Sequence, residues 1–195
     1  RYTEGKEKKV AYLEYKPRVD ASGHTLNSIE GEVELFDSCF VSYSVSKKSG
    51  KYLLYHYIKH LFLQVCQGRQ SSFFIDSEGC EYIFQAMSFE EAEEKITAML
   101  DIIRECTKEP FPFEINIAFA FKNEQDIDLQ KLNKAWKEFR DGRPYKYNYK
   151  PPNAYAQRIF PDFEYDNDSL ERFTELYRAT VSGINELTQG ESYAG

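Results

Sequence analysis

A change of period constrains this chain more than any other feature. Through residues 32–45 apolar and polar side chains alternate, which sends them to opposite faces of extended strands. From residue 51 the apolar residues come instead in pairs, at Leu53/Leu54, Tyr57/Ile58 and Leu61/Phe62, which is the spacing of an amphipathic helix. Residues 25–67 therefore read as strand, strand and long helix. With an earlier β-prone run, Val10 to Tyr15, they make a βββα-type core.

The remaining elements follow from local chemistry. Turn signals at Glu30-Gly31 and Asp37-Ser38 bound a strand over 32–36, and 40–45 is the next strand before a basic turn and a helix over 51–66. Residues 73–75 and 81–84 flank Asp76-Ser77-Glu78-Gly79 as a hairpin. Ser88 and Glu91 have the spacing of a capping box, opening a helix to about Thr107 that turns Ala92, Ile96, Met99, Leu100 and Ile103 inward. Pro110 and Pro112 break the helical run, and the alternation of Ile115, Ile117, Phe119 and Phe121 predicts a strand or an extended strap. Asp128 caps a helix over 129–140 that buries Leu132, Ala135, Trp136 and Phe139. After a loop at 143–153 comes a short helix to residue 160. A last helix, capped by Asp168 or Ser169, runs to about 187 with Phe173, Leu176, Tyr177, Val181 and Ile184 inward.

At 195 residues, with 42% apolar and 16% aromatic side chains, the chain has enough material for one packed domain, read here as residues 1–195 with 1–9 frayed. The opening Arg1 and the charged run after it give the expectation of a piece excised from a larger protein. A net charge of −7 excludes a broad electrostatic grip on duplex DNA, so any nucleic-acid contact must be local. Cys39, Cys66, Cys80 and Cys106 form no CxxC pair, which fits reduced thiols and not a zinc site. No apolar run reaches the roughly 18 residues of a membrane span.

Few motifs carry chemistry. His56 and His60 stand at i,i+4, a spacing that can bind zinc, but without the Glu of HExxH or a third ligand the pair reads as part of an amphipathic helix. There is no nucleophile elbow and no phosphate-cradling glycine loop. In the loop Arg143, Tyr145, Lys146, Tyr147, Tyr149 and Lys150 interleave cations with rings, which can stack on single-stranded bases and hold phosphates. The plainer reading is a solvated loop whose rings pack on the domain. Lys47, Lys48 and Lys51 likewise read as a solvated basic turn.

The order of elements carries a resemblance. Leu26 in a turn, an aromatic-rich strand at 40–45, a basic turn at 47–51 and a helix ending His60-Leu61-Phe62-Leu63 resemble the C-terminal domain of the gamma subunit of exodeoxyribonuclease V, the RecC family. The hairpin at 73–84 with Glu90-Glu91-Ala92, the segment Glu109-Pro110-Phe111-Pro112-Phe113, Lys134-Ala135-Trp136, and Asn153-Ala154-Tyr155 through Ile159-Phe160 keep the family's order. The likeness extends over about residues 22–188. It implies an α/β domain with a central mixed β-sheet flanked by helices, of the restriction-endonuclease-like, or PD-(D/E)xK, fold, that has lost its catalytic residues.

An active member of that superfamily needs an acid at the end of one strand and an acid-x-Lys pair on the next, to hold a dication and offset charge on the phosphate. The pattern falls on Asn27, Ser42 and Ser44, which are neutral. Glu30, Glu32, Glu34 and Asp37 could supply carboxylates only in another register. The resemblance thus implies a scaffold in DNA repair and recombination, without a metal or cofactor of its own. Its partners would be RecB-like and RecD-like helicase subunits and single-stranded DNA, in the bacterial cytoplasm. Two alternatives stay open: a metal-dependent nuclease with its acids elsewhere, and an interaction module that does not touch nucleic acid.

Overall fold

The computed structural model describes residues 3–16, 28–37, 39–45, 50–77, 79–121, 123–142 and 151–188, the side chains of 186 and 187 apart. The sequence reading treats 1–195 as one domain; the backbone groups into two compact units, residues 1–103 with 183–195, and residues 104–182.

The first unit is built on a five-stranded mixed sheet of order β1-β2-β3-β4-β5. Its strands are β1 Lys8–Tyr15, β2 Ile29–Phe36, β3 Cys39–Tyr43, β4 Ser72–Ile75 and β5 Glu81–Phe84. Neighbours are antiparallel except β3 and β4, which run parallel from Phe40↔Ser72 to Tyr43↔Ile75. A parallel pair needs a crossover, and helix α1, Gly50–Gln67, supplies it. With its flanking helices the sheet makes the expected α/β fold with a mixed sheet.

The outcomes differ from the sequence reading in informative places. Lys8 and Lys9 belong to β1 and are not frayed, because β1 pairs with β2 over all eight residues. Glu30 and Gly31 lie inside β2 and do not bound it, since that ladder outweighs the local turn preference of glycine. β3 stops at Tyr43, two residues early. Asp37 follows β2 with φ 48, the left-handed geometry that a two-residue hairpin loop demands and that Asp tolerates. Its carboxylate accepts the Glu7 N–H at 3.1 Å. The β4–β5 turn forms as read: Gly79 has φ 80, and the Asp76 carboxylate accepts the Cys80 N–H at 2.9 Å.

Strand periodicity sets what is buried. Ala11, Leu13 and Tyr15 of β1, Val33 and Leu35 of β2, and Phe40, Phe74 and Phe84 share the inner face of the sheet. Helix α1 lays Leu53, Tyr57, Leu61 and Leu63 in the core of this unit. Each such side chain contributes about 2 kcal/mol over its exposed state. Gly68, at φ 90, stops the helix with its N–H on the Gln64 carbonyl at 3.1 Å. Helix α2, Phe89–Lys108, opens on the expected capping box: Glu91 accepts the Ser88 N–H at 2.8 Å, and Ser88 Oγ accepts the Glu91 N–H at 3.2 Å. Ala92 and Ile96 are buried, but Ile103, expected inward, is 56% exposed.

The second unit is helical and aromatic. Residues 115–121 are neither strand nor strap: α3, Ile115–Ala118, starts at the Glu114 carboxylate, and Ile117, Ala118 and Phe121 are buried at helical spacing. Helix α4, Leu129–Asp141, is capped by Asp128 and buries Leu132 and Trp136; Ala135 and Phe139 are half-buried. The short helix α5, Ala154–Ile159, is capped by Asn153. Helix α6, Asn167–Tyr177, is capped by Asp166 and not by Asp168 or Ser169; Ser169 closes the capping box from the third position. One π turn over Arg178–Ser182 follows, and α7, Gly183–Leu187, belongs to the first unit. All five side chains expected inward on the final helix are buried.

Trp136 collects Phe139, Phe160, Phe163 and Tyr165 at centroid separations of 5.5–6.3 Å, mostly edge to face. Asn133 clamps Tyr165 from both sides, its amide donating to the Tyr165 carbonyl at 2.9 Å and accepting the Tyr165 N–H at 2.7 Å. The Tyr165 hydroxyl donates to the Pro112 carbonyl, and burial pushes its pKa up. In this unit, the aromatic load seen in the sequence is core packing.

Candidate functional site

Helix α1 carries three polar residues one turn apart, His56, His60 and Gln64, and none is more than 1% exposed. A buried polar group without a partner costs free energy, so each must find one on the sheet. The Ser42 hydroxyl lies 2.5 Å from His56 Nδ1. His56 Nε2 lies 2.8 Å from Ser72 Oγ, which is 2.9 Å from His60 Nδ1. His60 Nε2 ends the row 3.0 Å from the Gln85 carbonyl.

The last partner fixes every proton. A carbonyl only accepts, so His60 Nε2 carries the hydrogen and Nδ1 is bare. Ser72 therefore donates to His60 and accepts from His56 Nε2–H. His56 Nδ1 is then bare and accepts from Ser42. Four hydrogen bonds point one way, from β3 through α1 and β4 to the residue after β5, with both imidazoles neutral.

The electrostatics agree. Burial first, then the neighbouring His60 and Lys59, hold His56 well below the ordinary histidine value. Burial pulls His60 down to about 4, against the opposing Gln85 carbonyl. Phe40 stacks on His56 at 4.4 Å, and Phe84 lies 4.7 Å from it, so aromatic rings occupy space that water would need. Gln64 extends the row: its amide donates to the Gln70 carbonyl at 2.8 Å and accepts the N–H groups of Gln70 at 3.1 Å and Met87 at 3.3 Å.

Of the three nuclease-pattern positions this arrangement takes in Ser42. Ser42 is half-buried on the inner face, with its proton committed to His56. A serine donating to an imidazole is also how a hydrolase activates a nucleophile, but an imidazole held this far toward neutrality is a poor proton acceptor, and its far side meets a hydroxyl where a triad places a carboxylate. Ser44, just past β3, is 7% exposed and donates its N–H to the Ile75 carbonyl at 2.9 Å. Asn27 lies outside the described residues, as do Arg143, Tyr145, Lys146, Tyr147, Tyr149 and Lys150 of the proposed base-stacking loop, and Lys47 and Lys48. Lys51 sits 5.0 Å over the Tyr52 ring.

The carboxylates that a shifted register would recruit are spread out. Glu30, Glu32 and Glu34 point to the exposed face of β2. Glu30 accepts from the Tyr12 hydroxyl and from Ser28 Oγ at 2.9 Å, which lowers its pKa, while Glu34 pairs with Lys8 at 2.8 Å. Among the described residues no group of three or more His, Cys, Asp or Glu side chains could hold a metal ion. The four cysteines are unpaired and half-buried, and burial pushes the Cys39 and Cys66 thiols up. Among the described residues no helix is long and apolar enough to cross a membrane.

Sequence reasoning missed Ser72, Gln64 and the buried Asp76. For the first two a signal existed: three polar residues at i, i+4 and i+8 inside an apolar helix require a polar row opposite.

No curated protein matches the chain. A family model, that of the RecC C-terminal domain, matches residues 7–126, which takes in the whole sheet, α1 and α2 and leaves out the resemblances noted at 134–136 and 153–160. By that match, over more than half its length, the chain belongs to the family of RecC C-terminal domains.

Proposed function

We propose that this is a non-catalytic, nuclease-like scaffold domain of an exodeoxyribonuclease V gamma subunit, with the restriction-endonuclease-like fold. It docks neighbouring RecB-like and RecD-like helicase subunits and guides unwound single-stranded DNA during repair of double-strand breaks. ATP hydrolysis and cleavage belong to other subunits. Family membership supports the setting. The observation that carries the non-catalytic part is the position of Ser42: where a nuclease needs a carboxylate facing a dication, a neutral hydroxyl gives its proton to a buried, neutral His56.

The test is calorimetric titration of the chain with magnesium and manganese, with cleavage of single-stranded DNA assayed alongside. Neither metal uptake nor cleavage is expected, and pull-downs with RecB-like and RecD-like subunits should retain the chain. Metal binding together with cleavage would overturn the reading in favour of a nuclease whose acids lie among Glu30, Glu32, Glu34 and Asp37.

A further inference from the structure

Among the described residues the sheet is not paired along its whole length. β2 pairs with β1 over all eight of its residues, yet with β3 only at Leu35↔Phe40 and Phe36↔Cys39. Beyond those pairs, among the described residues, residues 29–34 have no strand on their β3 side. Asp37, at the end of β2, donates its N–H to the Glu7 carbonyl on the β1 side at 3.1 Å, so by alternation along the ladder the N–H and C=O groups of Glu34, Glu32 and Glu30 point away from β1, out of the open edge. Lys59 confirms the direction, its ammonium reaching the Glu32 carbonyl at 3.1 Å.

A groove of about 270 Å³ adjoins this edge, lined by residues 29–33 of β2, Glu30 and Glu32 among them, and by Tyr55, Ile58, Lys59 and Phe62 of α1. Tyr55 and Ile58 are large apolar side chains left 59% and 42% exposed. A Cβ added at Gly31 would meet nothing within 4 Å. Backbone groups that face no strand, beside a largely apolar trough, are what an extended peptide needs to add itself to a sheet, and at Glu32 the incoming strand would displace the Lys59 ammonium from the carbonyl.

We propose that the β2 edge is a docking site for an extended segment of a partner protein in which Lys or Arg alternates with apolar residues. The apolar side chains enter the groove, and the basic ones meet the acidic row of Glu30, Glu32 and Glu34 on the outer face, in competition with Tyr12 and Ser28 at Glu30 and with Lys8 at Glu34. The same charges choose between occupants. A second copy pairing through its own β2 would set Glu against Glu, which is repulsive, and nucleic acid would meet an acidic row. The inference rests on strand pairing and not on Ser42 or Ser44, so it stands or falls separately from the loss of catalysis.

The experiment titrates the 195-residue chain with a synthetic heptapeptide alternating Lys with Val, with a Glu-for-Lys version, and with a single-stranded oligonucleotide, while hydrogen exchange follows the amides of Glu30, Glu32 and Glu34. Two variants test the site. Glu32→Pro removes an outward N–H without touching the β1 ladder, and Gly31→Val puts a side chain into the trough at a position where a Cβ has open space. Saturable binding of the Lys peptide is expected, with protection of the three amides and about tenfold weakening in each variant, the scale of one lost edge hydrogen bond. Absence of binding, equal binding of the Glu peptide, or binding unchanged in Gly31→Val would each overturn the proposal. So would protection of the same amides by the oligonucleotide, or by self-association without peptide.

Discussion

His56 Nε2 lies 2.8 Å from the Ser72 hydroxyl, and both residues are fully buried, so neither group has water to fall back on. Truncating Ser72 to Ala strands two groups at once, the His56 N–H and the bare His60 Nδ1. Ser72→Ala is expected to cost about 2–4 kcal/mol, the scale of two unsatisfied buried groups, far more than loss of an exposed hydroxyl. Urea denaturation at pH 7.5 measures it, and a loss under 1 kcal/mol would refute the proton arrangement.

The two imidazoles also set an acid limit. Their folded pKa values lie below the unfolded value of 6.5, so the unfolded chain binds more protons as pH falls. Their contribution is therefore complete above pH 6.5 and is lost as pH drops toward the folded values. For His60, at about 4, this amounts to roughly 3 kcal/mol between pH 6.5 and 4. Stability measured across that interval should fall steeply, and the slope should flatten in a His56→Gln, His60→Gln double variant.

Gly183 is held small by Tyr57. A Cβ at position 183 would run into the Tyr57 hydroxyl and ring, and Tyr57 is fully buried. Gly183→Ala should destabilise by about 1–3 kcal/mol. In a Tyr57→Phe background the penalty should shrink, because the nearest colliding atom is gone; a double-mutant cycle reads this directly.

In the second unit Asn133 holds the backbone of Tyr165 at both its N–H and its C=O. Asn133→Ala is expected to cost about 1–3 kcal/mol and to loosen the rings around Trp136. Trp136 is the only tryptophan in the chain, so its emission reports this unit alone. An unchanged spectrum and unchanged unfolding midpoint would contradict the role given to Asn133.

What the sequence disclosed follows the range of the forces involved. Ser88 with Glu91 and Asp128 act within one helical turn and could be placed from spacing alone. The period change at residues 45–51 located α1, because one buried face imposes its own repeat. Residues 115–121 misled because Ile, Phe and Ala alternate there by accident of composition, while the backbone is set by the Glu114 cap and by burial of Ile117 and Phe121 in the aromatic core. The length of β2 depends on β1, whose ladder partners run from Tyr15↔Ile29 to Lys8↔Phe36, and the depth of His56 depends on Ser72, 16 positions away; no local rule reaches that far.

The single direction of the Ser42–His56–Ser72–His60–Gln85 row has a consequence for how such a domain changes over generations. Each hydrogen in it has one acceptor and each acceptor one hydrogen, so replacing Ser42, His56, Ser72 or His60 leaves a neighbour with nothing to bond, whereas Gln85 takes part only through its backbone carbonyl. A lineage can drift at Tyr12 or Glu34 one substitution at a time, but along this row every single step descends into a destabilised intermediate. Relatives are therefore expected either to keep the two serines and two histidines together or to replace them together with a dry, apolar seam.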